Sequence, residues 1–167
     1  MGVLRAATHH LGSQAAYESW LCLCPGDGVH PRTGALVAFL THWTALSVDP
    51  QMRRPNGWPV RTCAFVKPNL FTNPVPQPYP GVDRLKVAHC RVEDLEETAT
   101  KNLLILCTHS HAPLKACWNA VQAERKVMVV LPCCQHLEIP KGTEIVRGYS
   151  DGKILSPRRE ILIYEAV

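Results

Sequence analysis

Four short stretches of this chain carry side chains able to do chemistry. They are Cys24-Pro-Gly26-Asp27-Gly28, Asp49 alone before Pro50, Thr108-His109-Ser110-His111, and Pro132-Cys133-Cys134-Gln135-His136. A glycine pair lets a backbone approach a ligand closely. A lone carboxylate at a strand end can accept hydrogen bonds from two ribose hydroxyls, the part an acid plays in dinucleotide folds. Histidine's ordinary titration near neutrality makes His109 and His111 candidate general bases. Cysteine and histidine are also zinc ligands, but Cys133, Cys134 and His136 with His109 and His111 follow no established zinc spacing. Thiols lining a cleft are the expectation there, with no metal.

Positioning these groups requires a sheet. Trp20–Cys24, Trp43–Val48, Leu85–Cys90, Leu103–Thr108 and Val127–Pro132 are short apolar runs bounded by turn residues and read as buried strands. Between them, Pro31–Leu40 suits a helix with proline near its first turn. A short acidic helix is expected to start near Glu93 and end before Lys101. A longer one is expected over Pro113–Glu124, with Leu114, Cys117, Trp118 and Val121 on one face. Thr143–Tyr149 and Glu160–Ala166 read as two final strands, with Ser150-Asp-Gly-Lys153 turning between them. Val60–Val66 suits a short edge strand. Strands apolar throughout and separated by helices imply a parallel sheet covered on both faces, and the terminal pair implies an antiparallel edge. The expected fold class is therefore α/β: a doubly wound, mostly parallel seven-stranded sheet. In such sheets ligands bind outside the carboxyl ends of the strands, where the strand order reverses. The four chemical stretches all fall at such ends.

The chain has 167 residues and a net charge of +4. That is one domain of ordinary globular composition, and no apolar run is long enough to span a bilayer. The charge is local. Between Pro50 and Val82 lie Arg53, Arg54, Arg61 and Lys67 with no acid, and the remaining charges balance. Seven of the fourteen prolines fall between Pro55 and Pro80, so regular helix is excluded through most of that insert. It interleaves Trp58, Phe65, Phe71 and Tyr79 with its cations, the pairing used on single-stranded nucleic acid; the same rings can equally pin the insert to the domain. Residues 1–17 are set apart as an N-terminal extension. They contain Arg5 and no acid, which leaves a mitochondrial presequence open, and Gly2 lacks the Ser/Thr of a myristoylation signal because Ala6 stands there. The eight cysteines sit mostly in apolar runs and read as free thiols in a reducing, intracellular compartment, the cytoplasm ahead of the mitochondrion.

From about Tyr17 onward the chain resembles the class I S-adenosylmethionine-dependent methyltransferases, including the closing antiparallel strand pair typical of that fold. A narrower resemblance lies in His109-Ser-His-Ala and Pro132-Cys-Cys-Gln-His136. These are similar to the His-x-Cys and Pro-Cys-Cys loops after the fourth and fifth strands of a group that includes a eukaryotic tRNA ribose methyltransferase. The resemblance implies S-adenosyl-L-methionine as cofactor. Gly26 and Gly28 would flank its methionine and ribose, with Cys24, Asp27 and Thr108 beside them. Asp49 would bind the ribose hydroxyls, Glu93 or Asp94 the adenine amine, and His109 and His111 would face the methyl group. Arg53, Arg54, Cys133 and His136 would meet the substrate, RNA or an RNA-associated protein, and this domain or a companion subunit would select it. Three residues depart from the pattern: Cys24 and Arg91 stand where acids are usual, and His30 where the loop's third glycine is usual. They motivate a second reading, a methyltransferase-like module that binds or assembles without catalysis. A nucleotide-binding oxidoreductase is the third, opposed by the incomplete glycine spacing and by the last two strands.

Overall fold

A computed structural model of the chain describes residues 2–52, 82–95, 99–132, 138–154 and 159–166. Helices α1 (Gly2–Leu11) and α2 (Gln14–Tyr17) come first, then β1 (Leu21–Pro25), α3 (Arg32–Leu40), β2 (Thr44–Val48) and β3 (Leu85–Ala88). A single 3-10 turn, Val92–Asp94, precedes β4 (Ala99–Thr108), α4 (Leu114–Asn119) and β5 (Gln122–Leu131). The chain closes with β6 (Thr143–Ser150) and β7 (Glu160–Ala166). The strands form one mixed sheet in the order β3-β2-β1-β4-β5-β7-β6. The first five are parallel, and β7 runs antiparallel to both β5 and β6.

Successive residues of a strand point to opposite faces. A run such as Leu103–Cys107, buried at every position, therefore needs cover on both. On one face Cys22, Cys24, Ala45, Leu104, Leu106, Val127 and Val129 pack with α1 and α3. On the other Leu23, Leu46, Ile105, Met128, Val130 and Tyr164 pack with α4 and the 3-10 turn. Helix α1 supplies Val3, Leu4, Ala7 and Leu11 at helical spacing, so the first residues of the chain form part of the core. The Arg5 guanidinium and Asp151 form an ion pair that holds α1 to the connection after β6. The Lys153 amide first, and Arg5 beside it, keep the Asp151 carboxyl below its ordinary range. No helix among the described residues is long and apolar enough to cross a membrane.

Three expected boundaries are corrected. The acidic segment near Glu93 makes only the 3-10 turn Val92–Asp94 before residues 96–98, which lie outside the described ones. Strand β4 begins at Ala99 rather than Leu103, and β5 at Gln122 rather than Val127, so the helix expected over Pro113–Glu124 ends at Asn119. The two extensions pair with one another, Ala99 with Gln122 and Asn102 with Arg125. Their polar residues cover apolar rings: the Arg125 guanidinium lies 5.2 Å from the Trp20 ring centre, and the Lys126 ammonium 5.7 Å from that of Trp118. The expected strand Val60–Val66 lies outside the described residues, as does residues 53–81 as a whole.

Cys22, Cys24, Cys107 and Cys117 are free thiols, and all four are buried. The Cys22 thiol, 3.9 Å from that of Cys24, pushes Cys24 well above the ordinary thiol range, with burial and the Asp27 charge adding to it. Cys117 and burial do the same to Cys107. Only the thiolate is nucleophilic. We expect alkylation of Cys24 and Cys107 at neutral pH to be at least ~100-fold slower in the native protein than after denaturation. Quenched labelling read by mass spectrometry checks this, and native labelling at the denatured rate would contradict it.

Candidate functional site

The strand order reverses between β1 and β4, and the loops leaving these neighbours meet. Gly26 has φ +66° and Gly28 φ +79°, the left-handed region that glycine enters without strain. The Gly26 amide donates to the Val48 carbonyl at 2.8 Å, tying the loop to the end of β2. A Cβ built at Gly26 would lie 2.5 Å from Ser110 Oγ and 3.3 Å from Ser110 Cα. The glycine loop therefore rests directly against the loop after β4. At Gly28, among the described residues, nothing lies within 4 Å of the same position, so that backbone faces open space among them.

Asp49 is buried at the end of β2. Its Oδ2 accepts the Gly28 amide at 2.9 Å and its Oδ1 the Gln51 amide at 2.7 Å. Each carboxylate oxygen has two lone-pair positions, so one on each remains after these bonds. The turn beyond is held by His89 at the end of β3, which donates Nδ1–H to the Met52 carbonyl at 2.6 Å. Asp27 serves the fold instead. Its Oδ1 accepts the Thr33 amide at 2.8 Å, and its Oδ2 accepts the Gly34 amide at 2.9 Å and the Ser47 hydroxyl at 2.7 Å. It thus satisfies the first-turn amides of α3, where a negative charge also meets the positive end of the helix dipole.

After β4, His109 has φ 52°, alone in that region among the described non-glycine residues. Such a conformation costs of order 1–2 kcal/mol in a residue with a Cβ, and strain of this kind gathers at functional sites. The His109 amide donates to the Leu131 carbonyl at 3.0 Å, fixing the loop to the end of β5. His109 and His111 are both exposed. Just before them the Thr108 hydroxyl is buried with no hydrogen-bond partner among the described residues; an orphaned buried hydroxyl is the kind of group that a ligand or water satisfies.

Of the sequence-derived candidates, the structure brings together Gly26, Gly28 and Asp49 through the Gly28–Asp49 bond, and sets Thr108 and His109 beside them through Ser110. Cys24 is buried in β1 with its thiol on the α1 and α3 face. Glu93 and Asp94 are exposed on the 3-10 turn, and among the described residues no hydrogen bond joins them to the glycine loop. Arg53, Arg54, Cys133 and His136 lie outside the described residues. Sequence reasoning passed over Ser110 and His89. Ser110 lies between His109 and His111 with no spacing signal of its own, and His89 follows a strand with nothing in its spacing to mark it.

The sequence matches no family model, and no curated protein is significantly similar to it.

Proposed function

We propose that this chain is an S-adenosylmethionine-dependent methyltransferase of class I-like fold, with its site at the carboxyl ends of β1, β2 and β4. The observation carrying this reading is the convergence of the Gly26–Gly28 loop, Asp49 and the His109 loop at the point where a parallel sheet reverses its strand order. The antiparallel β7 beside β5 supports the same fold reading. The groups present suit a nucleoside with a ribose diol. Asp49 keeps a lone-pair position on each oxygen for two hydroxyls, and among the described residues Gly28 faces open space and the Thr108 hydroxyl has no partner.

When bound, the cofactor supplies a methyl group activated by its sulfonium. The chain's own part is alignment, which is proximity catalysis. The His109 loop, held to β5 and packed on Gly26, sets the nucleophile's approach. A ring nitrogen of His109 or His111 accepts the proton of an attacking hydroxyl. RNA or an RNA-associated protein as substrate rests on the cations and rings between Pro50 and Val82.

A second reading is a binding or assembly module that has lost catalysis. It is favoured by the engagement of both Asp49 oxygens, and of Asp27, with backbone amides of this chain. Isothermal titration with S-adenosylhomocysteine separates the two. The methyltransferase reading expects saturable binding that Asp49→Ala weakens about 10- to 100-fold, the worth of a hydrogen-bonded charge. An unchanged melting profile would show that the variant still folds. Absence of heat at millimolar ligand would overturn the methyltransferase reading and leave the module.

A further inference from the structure

Strand β6 ends the sheet, with β7 on one side only. Among the described residues no strand pairs with its outer edge. Ile145, Val146 and Tyr149 are 47%, 39% and 37% exposed, large apolar side chains on an eight-residue strand. An exposed edge of this length offers a row of backbone donors and acceptors to another strand.

The strand carries one irregularity. Its pairing with β7 steps from Ile145 opposite Tyr164 to Arg147 opposite Ile163, so Val146 is an extra residue, a β-bulge. In a regular strand residues 144 and 147 would point to opposite faces. The bulge places both on the face that carries α1. Glu144 stands opposite Glu165, which itself bonds His10 of α1 at 3.0 Å. Arg147 donates toward His9 of α1 at 3.4 Å. Glu144 thus faces a like charge across its own ladder, and among the described residues no cation is paired with it.

We infer that β6 pairs antiparallel with β6 of a second copy of this chain, about a two-fold axis between Ile145 and Val146. In that register Glu144 lies opposite the partner's Arg147, and Arg147 opposite the partner's Glu144. Two opposite-charge cross-strand pairs form on one face, and each gives a Glu144 a cation across the ladder. Thr143 falls opposite the partner's Gly148, and Ile145 opposite the partner's Val146. The interface is isologous and self-closing, so it makes a dimer and no filament. It stands independently of the methyltransferase reading, since the edge is formed by neither β1, β2 nor β4.

Sedimentation equilibrium up to about 100 µM tests it. The wild-type chain is expected to dimerise. Glu144→Arg and Arg147→Glu each set like charges opposite one another and weaken self-association at least ~10-fold. An equimolar mixture of the two variants restores complementarity and dimerises. Hydrogen exchange of β6 amides supplies a second readout, with protection rising with wild-type concentration. A wild-type chain that is monomeric throughout overturns the inference. So do single variants that associate like wild type, a mixture no better than its components, or β6 amides whose exchange ignores concentration.

Discussion

Replacing Gly26 by alanine is expected to destabilise the protein by about 2–3 kcal/mol and to displace the loop carrying His109 and His111. Two costs combine. At φ +66° a residue with a Cβ carries a strain of about 1–2 kcal/mol. The new methyl would also sit 2.5 Å from Ser110 Oγ and 3.3 Å from Ser110 Cα. The hydroxyl can rotate away, although it now accepts the Ala112 amide at 3.1 Å. The Cα can move only with its loop. Ser110→Gly removes Oγ and Cβ, and so the two nearest obstacles. The Gly26→Ala/Ser110→Gly pair should therefore be non-additive, with about 1 kcal/mol of the combined loss recovered. Urea unfolding of the four proteins measures this coupling. Additivity within about 0.3 kcal/mol would mean that the two loops do not meet. Where Gly26→Ala remains folded, its binding of S-adenosylhomocysteine should fall as well, because the same contact sets the spacing between the glycine loop and the histidines.

The second large effect belongs to Asp27. Asp27→Ala removes the acceptor of three donors, the Thr33 and Gly34 amides and the Ser47 hydroxyl. Loss of a helix cap costs about 1 kcal/mol, and a buried donor left unpaired about 1–3 kcal/mol more. Ser47 is fully buried, and a Cβ on Gly34 would come 2.1 Å from its hydroxyl oxygen. We expect a loss of about 3 kcal/mol, a fall in Tm of roughly 6–12 °C for a chain of this size. Asp27→Asn keeps one oxygen acceptor and should lose about half as much. Scanning calorimetry reads both, and an unchanged Tm in Asp27→Ala would show that α3 does not depend on this cap. Removing the Asp27 charge should also lower the Cys24 thiol toward its ordinary range, because that charge is among the causes that raise it.

Asp27 and Asp49 also mark how far the sequence could be read. Both are acids just past strand ends, Asp27 between two glycines and Asp49 before a proline, and both suggest ligand binding by type and position. Burial and partners separate them. Asp27 lies six and seven residues before the amides it caps, beyond the spacing of a capping box, so nothing local showed its use. The strands of the parallel core were legible because both faces are buried and their residues are apolar throughout, as in Leu103–Cys107. The starts of β4 and β5 were not. Gln122-Ala-Glu-Arg-Lys126 has the composition of a helix, but Arg125 and Lys126 lie over Trp20 and Trp118, brought there by the sheet. Partners so distant in sequence leave no local trace. The same holds for the contact between Gly26 and Ser110, which depends on β1 and β4 being neighbours despite the eighty or so residues between them.

The packing of α1 has a consequence for synthesis on the ribosome. Its buried stripe lies against β4, β5 and β7, and its polar anchors are Asp151 and Glu165, 146 and 155 residues downstream of Arg5 and His10. As the nascent chain lengthens, this helix emerges before the strands it covers and must wait for them. Until β5 and β7 follow, Val3, Leu4, Ala7 and Leu11 remain an unsheltered apolar stripe, the sort of segment that chaperones hold. Closure over so long a separation is slow. Completion of the sheet and docking of the first helix should therefore be one late event, with the parallel strands β1 to β3 available to assemble before it.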